Sequence, residues 1–177
     1  MRNAAGRTAT LNSRAAIVGT NLSGPTVQVN AGGTLSGLTI ESHFSGGSGG
    51  RTVLVADFAT GVAIANNTIS ATQSGNNAAI ALGFGGNTSG TASGNTLTVT
   101  GSGTGTMTAL AANSPNTTLT VTGNSMSATG GATNNMVWLG GTTAINAGST
   151  GNVRGAGNCN GAPASGSIGF TNGTTCP

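Results

Sequence analysis

Residues 94–100 read Gly-Asn-Thr-Leu-Thr-Val-Thr, and this stretch decides the fold because versions of it recur along the chain. Asn67-Thr68-Ile69-Ser70-Ala71-Thr72 precedes it by 28 residues, and Asn124-Ser125-Met126-Ser127-Ala128-Thr129 follows it by 29. A weaker copy begins at Asn152, 28 residues after Asn124, and an earlier one covers 37–41. A fixed period of this length is the signature of a repeat architecture whose units stack to bury a shared core.

Each repeat holds three short segments with strand character. In the segment that begins with Asn, apolar and polar residues alternate, as in a strand with one buried face. A second segment precedes the Asn, at 62–64 and 119–121, and a third follows a glycine-rich loop, at 53–55, 79–82, 107–110, 136–139 and 168–170. We expect these inward side chains: Leu38, Ile40, Ile69, Ala71, Leu97, Val99, Met126 and Ala128; and these outward ones: Thr39, Ser70, Thr98 and Ser127.

Three strands per repeat predict an all-β fold, a single-stranded right-handed parallel β-helix with three parallel sheets and about five coils of 28–31 residues. The 177 residues form a single domain. We expect an irregular N-terminal cap over 1–25, regular coils over 26–155, and a C-terminal cap over 156–177. The caps are needed because an open solenoid end exposes unpaired strand edges.

The repeating asparagines are interpreted as structural. Asn tolerates the left-handed backbone of a turn, and amides stacked from coil to coil hydrogen-bond along the rod. We therefore assign this role to Asn67, Asn95, Asn124 and Asn152.

The two cysteines, Cys159 and Cys176, lie close together near the end of the chain. An even pair in a chain of this composition favours a disulfide that staples the C-terminal cap, formed in an extracellular or cell-surface setting. The alternative is a pair of buried thiols in a cytoplasmic protein. No apolar run is long enough for a transmembrane helix, and no signal peptide is visible, so we expect a mature or excised part of a longer precursor.

The Gly-Asn-Thr-Leu/Ile strand and its column of asparagines, over about residues 26–155, resemble the right-handed parallel β-helix superfamily. Its members include pectate-lyase-like enzymes, phage tailspikes and autotransporter passengers, so the resemblance implies the fold and leaves enzyme and adhesin both open. The lyase-like enzymes imply clustered acids that bind calcium beside a basic residue, and polygalacturonase-like enzymes imply several Asp on one face. The only acids in this chain are Glu41 and Asp57.

Composition argues against several chemistries. Only 4% of the residues are charged, there is no Lys, and the net charge of +3 comes from five scattered Arg. Nucleic-acid binding normally needs a clustered basic stripe or stacking aromatics. One His and two Cys are too few for a zinc site, and the glycine runs lack the Lys of a phosphate-binding loop. We therefore predict no catalytic residues, no cofactor, no metal, no nucleic-acid partner and no membrane insertion.

Three sets of residues remain candidates for function. The first is a flat hydroxyl array of Thr68, Ser70, Thr72, Thr96, Thr98, Thr100, Ser125, Ser127 and Thr129, which resembles the T-x-T rows of ice-binding solenoids and also suits carbohydrate. The second is Trp138, an aromatic platform for a sugar or a buried strand residue. The third is a polar cluster of Glu41, His43, Arg51 and Asp57. The plainer alternatives are that Thr and Ser suit any exposed strand and that the cluster is a solvated edge with a weak ion pair.

These observations favour a non-catalytic extracellular or surface β-helix that serves as a scaffold, adhesion or assembly module. Its partners would be carbohydrate, a host or cell surface, or further copies of itself stacked end to end. The first alternative is a carbohydrate-binding or polysaccharide-processing β-helix, and the second is an ice-binding solenoid.

Overall fold

The computed structural model describes residues 8–9, 16–20, 24–45 and 49–176. These residues form β-strands and turns, with no helix among them. The strands are β1 (Thr8–Ala9), β2 (Ile17–Thr20), β3 (Val27–Val29), β4 (Thr34–Ser36), β5 (Thr39–Phe44), β6 (Gly50–Val55), β7 (Val62–Ala65), β8 (Thr68–Gln73), β9 (Ala79–Phe84), β10 (Ser89–Ser93), β11 (Thr96–Gly101), β12 (Thr106–Ala112), β13 (Thr118–Thr122), β14 (Ser125–Thr129), β15 (Thr133–Leu139), β16 (Ala144–Ile145), β17 (Val153–Arg154) and β18 (Asn158–Asn160).

The strands assemble into three parallel sheets, as the repeat predicts. Sheet 1 contains β3-β6-β9-β12-β15-β18, sheet 2 contains β1-β4-β7-β10-β13-β16, and sheet 3 contains β2-β5-β8-β11-β14-β17. Every third strand along the chain returns to the same sheet, so one coil passes through sheet 3, sheet 1 and sheet 2 in turn. The protein is therefore a parallel β-solenoid, with four full coils from β5 to β16, and its connections are consistent with the right-handed sense expected for parallel crossovers.

Equivalent residues of successive coils lie opposite one another. In sheet 3, Ile40 pairs with Ile69, Ile69 with Leu97, and Leu97 with Met126. The four side chains are fully buried, which confirms the predicted inward column. Stacked apolar columns of this kind hold the coils together, because each buried side chain of this size contributes roughly 1.5–3 kcal/mol.

In the turn between sheet 2 and sheet 3, a left-handed residue directly precedes each buried asparagine, and Gly37 occupies the equivalent position before Leu38. Positive φ angles occur at Gly37 (69°), Asn66 (55°), Gly94 (63°), Gly123 (64°) and Gly151 (73°). We had expected the repeating Asn itself to adopt this backbone, and that expectation was wrong. Gly and Asn tolerate such angles best, so the turn places its tolerant residue one position earlier and leaves the next Asn free to point inward.

The four asparagines form a buried hydrogen-bonded ladder. Nδ2 of each one donates to Oδ1 of the next, at 3.0 Å for Asn67 to Asn95, 2.9 Å for Asn95 to Asn124 and 3.1 Å for Asn124 to Asn152. The same Oδ1 atoms accept the backbone N–H of the preceding Asn. At one end Leu38 takes the ladder position, and its N–H donates to Asn67 Oδ1 at 3.0 Å.

The last described part of the chain folds back on the final coil. A disulfide joins Cys159 to Cys176, and Ile168 forms an antiparallel bridge with Cys176. The strand that the sequence suggested over 168–170 is reduced to isolated bridges, among them Asn152 with Phe170. No helix among the described residues has the length and apolar character needed to cross a membrane.

Candidate functional site: the hydroxyl face of sheet 3

The hydroxyl residues singled out from the sequence lie side by side on the outer face of sheet 3. Thr68, Thr96 and Ser125 form one column, and β8, β11 and β14 pair without a break in register. The second column is Ser70, Thr98 and Ser127, and the third is Thr72, Thr100 and Thr129. Neighbouring strands are about 4.8 Å apart and alternate residues about 7 Å apart along a strand, so the nine residues form a regular three-by-three array.

These side chains face solvent. The first and third columns are exposed, and the second, central column is half-buried between them. Within the described residues, the hydroxyls of Thr96, Thr98 and Thr100 have no hydrogen-bond partner in the protein. The array therefore presents donors and acceptors to whatever contacts the face.

The asparagine ladder sets the position of this array. Each ladder residue directly precedes the first residue of a sheet 3 strand, as Asn95 precedes Thr96 and Asn124 precedes Ser125. Because the ladder bonds fix the start of each strand relative to its neighbours, the outward columns stay aligned.

Sheet 2 also exposes Thr and Ser, but its columns are interrupted. Ala63 lies opposite Thr91, and Ala144 lies opposite Thr118. The hydroxyl columns of sheet 3 are therefore more regular than those of sheet 2.

Two residues of the proposed polar cluster border the array. Glu41 and His43 lie on β5 and extend the second and third columns by one coil. His43 Nε2 is 3.6 Å from Glu41 Oε2, and His43 Nδ1 is hydrogen-bonded to Thr72 Oγ1 at 2.8 Å. Both side chains are exposed to solvent, so their contact contributes little to stability.

The other two residues of the cluster lie elsewhere. Arg51 is on β6 of sheet 1, and Asp57 is in the turn that follows β6, where its Oδ1 accepts the Gly86 N–H at 2.7 Å. The structure therefore does not assemble the four residues into one site. They are close in sequence, but in a β-helix ten residues are enough to carry the chain onto another sheet.

A groove opens beside His43 at the corner where sheet 3 ends. It has a volume of about 400 Å³, and its lining includes His43, Thr72, Thr100, Gln73 and Ser102. Within the described part of the chain, no three His, Cys, Asp or Glu side chains are grouped as metal ligands.

Trp138 lies on the outer face of sheet 1, opposite Ala111, and is half-buried. Sequence reasoning identified Trp138 but missed two polar residues of the same face, Thr108 and Asn135. Their signal was weak because the strands of sheet 1 depart from strict alternation. The contact of His43 with Thr72 was also missed, although their separation of 29 residues equals one coil.

Comparison with protein-family models, with curated proteins and with solved structures found no match to this chain. The class of protein is therefore defined by the structure, which is a disulfide-bonded parallel β-solenoid with a buried asparagine ladder.

Proposed function

We propose that this protein is a non-catalytic extracellular β-helix, akin to the right-handed β-helix superfamily, that acts as a scaffold or adhesion module through the hydroxyl face of sheet 3. The observation that carries the proposal is the uninterrupted three-by-three array of outward-facing hydroxyl residues on a parallel sheet, with two exposed columns on either side of a half-buried one. Such a face suits a surface that is itself rich in hydroxyl groups, such as a glycan layer.

Two further features support parts of the proposal. The disulfide between Cys159 and Cys176 favours an oxidising, extracellular location. The chain carries two acids and one His in all, and Glu41 and His43 sit in an exposed position that lacks the desolvated surroundings in which catalytic groups are usually tuned.

The test is binding of the purified protein to a broad glycan array, with one variant on each of two sheet faces. Thr98→Lys places a long charged side chain at the centre of the array, and Thr91→Lys makes the same change on the exposed face of sheet 2. We expect Thr98→Lys to abolish binding and Thr91→Lys to preserve it. Binding that survives Thr98→Lys, or that both variants lose equally, would place the contact elsewhere.

Ice binding is a second candidate, because the nine residues of the array are in continuous register and none of them is charged. Thermal hysteresis of the wild-type protein and its loss in Thr98→Lys would support it. A wild-type protein that shows no thermal hysteresis would exclude ice and leave the glycan-facing role.

A further inference from the structure

Glu41 and His43 lie side by side on the outer face of β5, because residues two apart on a strand point to the same side. The Glu41 side chain is 36% exposed and that of His43 is 50% exposed, so solvent reaches both. The residues opposite them on β2 and β8 are uncharged, namely Val18, Thr20, Ser70 and Thr72. The facing positions of the two neighbouring strands therefore supply no cation to the carboxylate.

Thr72 orients the imidazole ring of His43. His43 Nδ1 is 2.8 Å from Thr72 Oγ1, and Thr72 Oγ1 is 3.5 Å from the carbonyl oxygen of Ser42. A carbonyl oxygen only accepts hydrogen bonds, so the Thr72 hydroxyl donates to Ser42 and accepts from His43. This chain of bonds places the proton of a neutral His43 ring on Nδ1 and leaves a lone pair on Nε2.

The Nε2 lone pair faces the Glu41 carboxylate. His43 Nε2 and Glu41 Oε2 are 3.6 Å apart, which is longer than the roughly 2.7–3.2 Å of an N–H···O hydrogen bond. Two electron-pair donors thus converge on one space that is open to solvent. A cation in that space would contact both of them.

The distance and the donor types indicate which cation fits. Zinc bonds to a His nitrogen or a carboxylate oxygen at about 2.0–2.2 Å, so two such bonds at a tetrahedral angle hold the donor atoms about 3.4 Å apart. Calcium and magnesium prefer oxygen ligands, whereas imidazole suits zinc. Metal-bound histidines are usually oriented by a hydrogen bond at the other ring nitrogen, and Thr72 provides that bond here.

We propose that Glu41 and His43 bind a zinc ion at the border of the hydroxyl face. His43 Nε2 and Glu41 Oε2 are its two protein ligands, Thr72 is a positioning residue, and water fills the other coordination positions. Composition argued against a zinc site with three or four protein ligands, and this open site needs only two.

The open positions of the ion lie on the same side of sheet 3 as the hydroxyl array, because Glu41 and His43 extend its second and third columns. The groove of about 400 Å³ beside His43 and Thr72 leaves room for a further ligand of the ion. A bound zinc ion would add a coordinate bond to an oxygen of the surface that the array contacts. This consequence rests on the proposed function, whereas the ion site itself does not.

The experiment titrates the purified protein with zinc chloride by calorimetry, with calcium chloride as the comparison, at about pH 7.5 because metals bind neutral imidazole. His43 is the only His in the chain, so its ring signals in the NMR spectrum report on the site without interference. We expect one zinc ion per chain, shifted His43 signals, and no response to calcium.

Three variants separate the roles of the residues. His43→Ala should abolish binding. Loss of an outer hydrogen-bond partner usually weakens metal binding by about 10–100-fold, so we expect this loss in Thr72→Val and at least about tenfold in Glu41→Gln, which removes a ligand. Thr91→Val makes the same change as Thr72→Val on sheet 2 and should leave the zinc affinity unchanged.

The proposal is overturned if zinc does not bind at about millimolar concentration. It is also overturned if Glu41→Gln and Thr72→Val bind zinc as tightly as the wild type, because His43 then acts as a single exposed ligand.

The glycan array, run with zinc and with a chelator, tests the contact through the ion separately. We expect stronger glycan binding with zinc, and equal binding in both conditions would refute that contact. Absence of glycan binding in both would count against the proposed function, while the zinc titration would still decide the ion site.

Discussion

Truncating one asparagine of the ladder tests whether the ladder holds the coils together. In Asn95→Ala the Nδ2 bonds to Ile64 O at 2.8 Å and Asn124 Oδ1 at 2.9 Å are lost. The two bonds that Asn95 Oδ1 accepts from the N–H and Nδ2 of Asn67, each at 3.0 Å, are lost with them. Asn67 Nδ2 keeps its bond to Leu35 O, but the buried Asn67 N–H loses its partner.

The loss of stability can be estimated from the buried polar groups that lose a hydrogen-bond partner in Asn95→Ala. Each buried group without a partner costs about 1–3 kcal/mol. The Asn67 N–H and the Ile64 carbonyl each lose the bond to Asn95, so we expect Asn95→Ala to lower the free energy of unfolding by about 2–6 kcal/mol. In a chain of 150–250 residues each kcal/mol shifts Tm by about 2–4 °C, so a loss of 3 kcal/mol lowers Tm by roughly 6–12 °C.

The assay is thermal and urea unfolding followed by circular dichroism and by Trp138 fluorescence. Asn146→Ala is the control, because Asn146 is exposed and its amide donates a single side-chain bond, to Thr120 Oγ1 at 3.1 Å. A surface change of this kind stays within about 0.5 kcal/mol. If Asn95→Ala and Asn146→Ala unfold at the same temperature and urea concentration, the ladder does not stabilise the fold and the reasoning fails.

Three further substitutions test other features of the fold. Phe58 is exposed and has a left-handed backbone with φ 61°, and the equivalent residue of the next coil is Asn87 with φ 55°. Because Asn tolerates this backbone better than Phe does, we expect Phe58→Asn to raise the free energy of unfolding in urea by about 1 kcal/mol. Unchanged or lower stability would show that the backbone of Phe58 is not strained. Cys159→Ala removes the disulfide and is expected to lower the free energy of unfolding by about 3 kcal/mol. A reductant should then lower the Tm of the wild type and leave that of the variant unchanged. Equal effects of the reductant on both proteins would contradict a stabilising role for the disulfide. Gly130 has φ 78°, and a Cβ added there would meet a backbone carbonyl of the neighbouring coil, whereas a Cβ added at Gly141 would meet nothing. Gly130→Ala should therefore lower Tm, and Gly141→Ala should not. Equal Tm values for the two variants would show that the close approach of the coils at Gly130 is unimportant.

Sheet 3 was predictable almost residue by residue from the sequence. Its strands keep strict alternation, and their spacing of 28 or 29 residues equals one coil, so equal positions of successive repeats become neighbours. This is why the hydroxyl columns and the inward column of Ile69 and Leu97 both agree with the structure. The spacing of the repeats predicts these contacts because, in a parallel in-register stack, residues one repeat apart in the sequence lie opposite each other on adjacent strands.

Sheet 1 was only partly predictable. Its strands were located, but two consecutive inward residues such as Ala81 and Leu82 shift the next outward residue by one place. Two consecutive inward residues depend on how the core packs across several coils, so no pattern within one short segment of sequence predicts them. The orientation of Trp138 depended on this shift and stayed undecided until the structure placed it opposite Ala111.

The polar residues near the first regular coil show that residues close in the sequence of a solenoid need not lie close together in the structure. Glu41, Arg51 and Asp57 are close in sequence, yet the turn from sheet 3 to sheet 1 separates Glu41 from Arg51. His43 instead contacts Thr72, one coil away. In a solenoid, residues one repeat apart are therefore better candidates for a common site than residues ten apart.

The hydroxyls on the outer face of sheet 3 repeat from coil to coil. Recognition there would come from this periodicity, so it would tolerate loss of one hydroxyl and fail against a large charge such as Thr98→Lys. The ladder supports the face because it holds successive coils in register, and a shift of one residue would turn outward columns inward. Asn95→Ala should therefore weaken binding by the sheet 3 face as it destabilises the rod, whereas Thr98→Lys should weaken binding without lowering stability to the same extent.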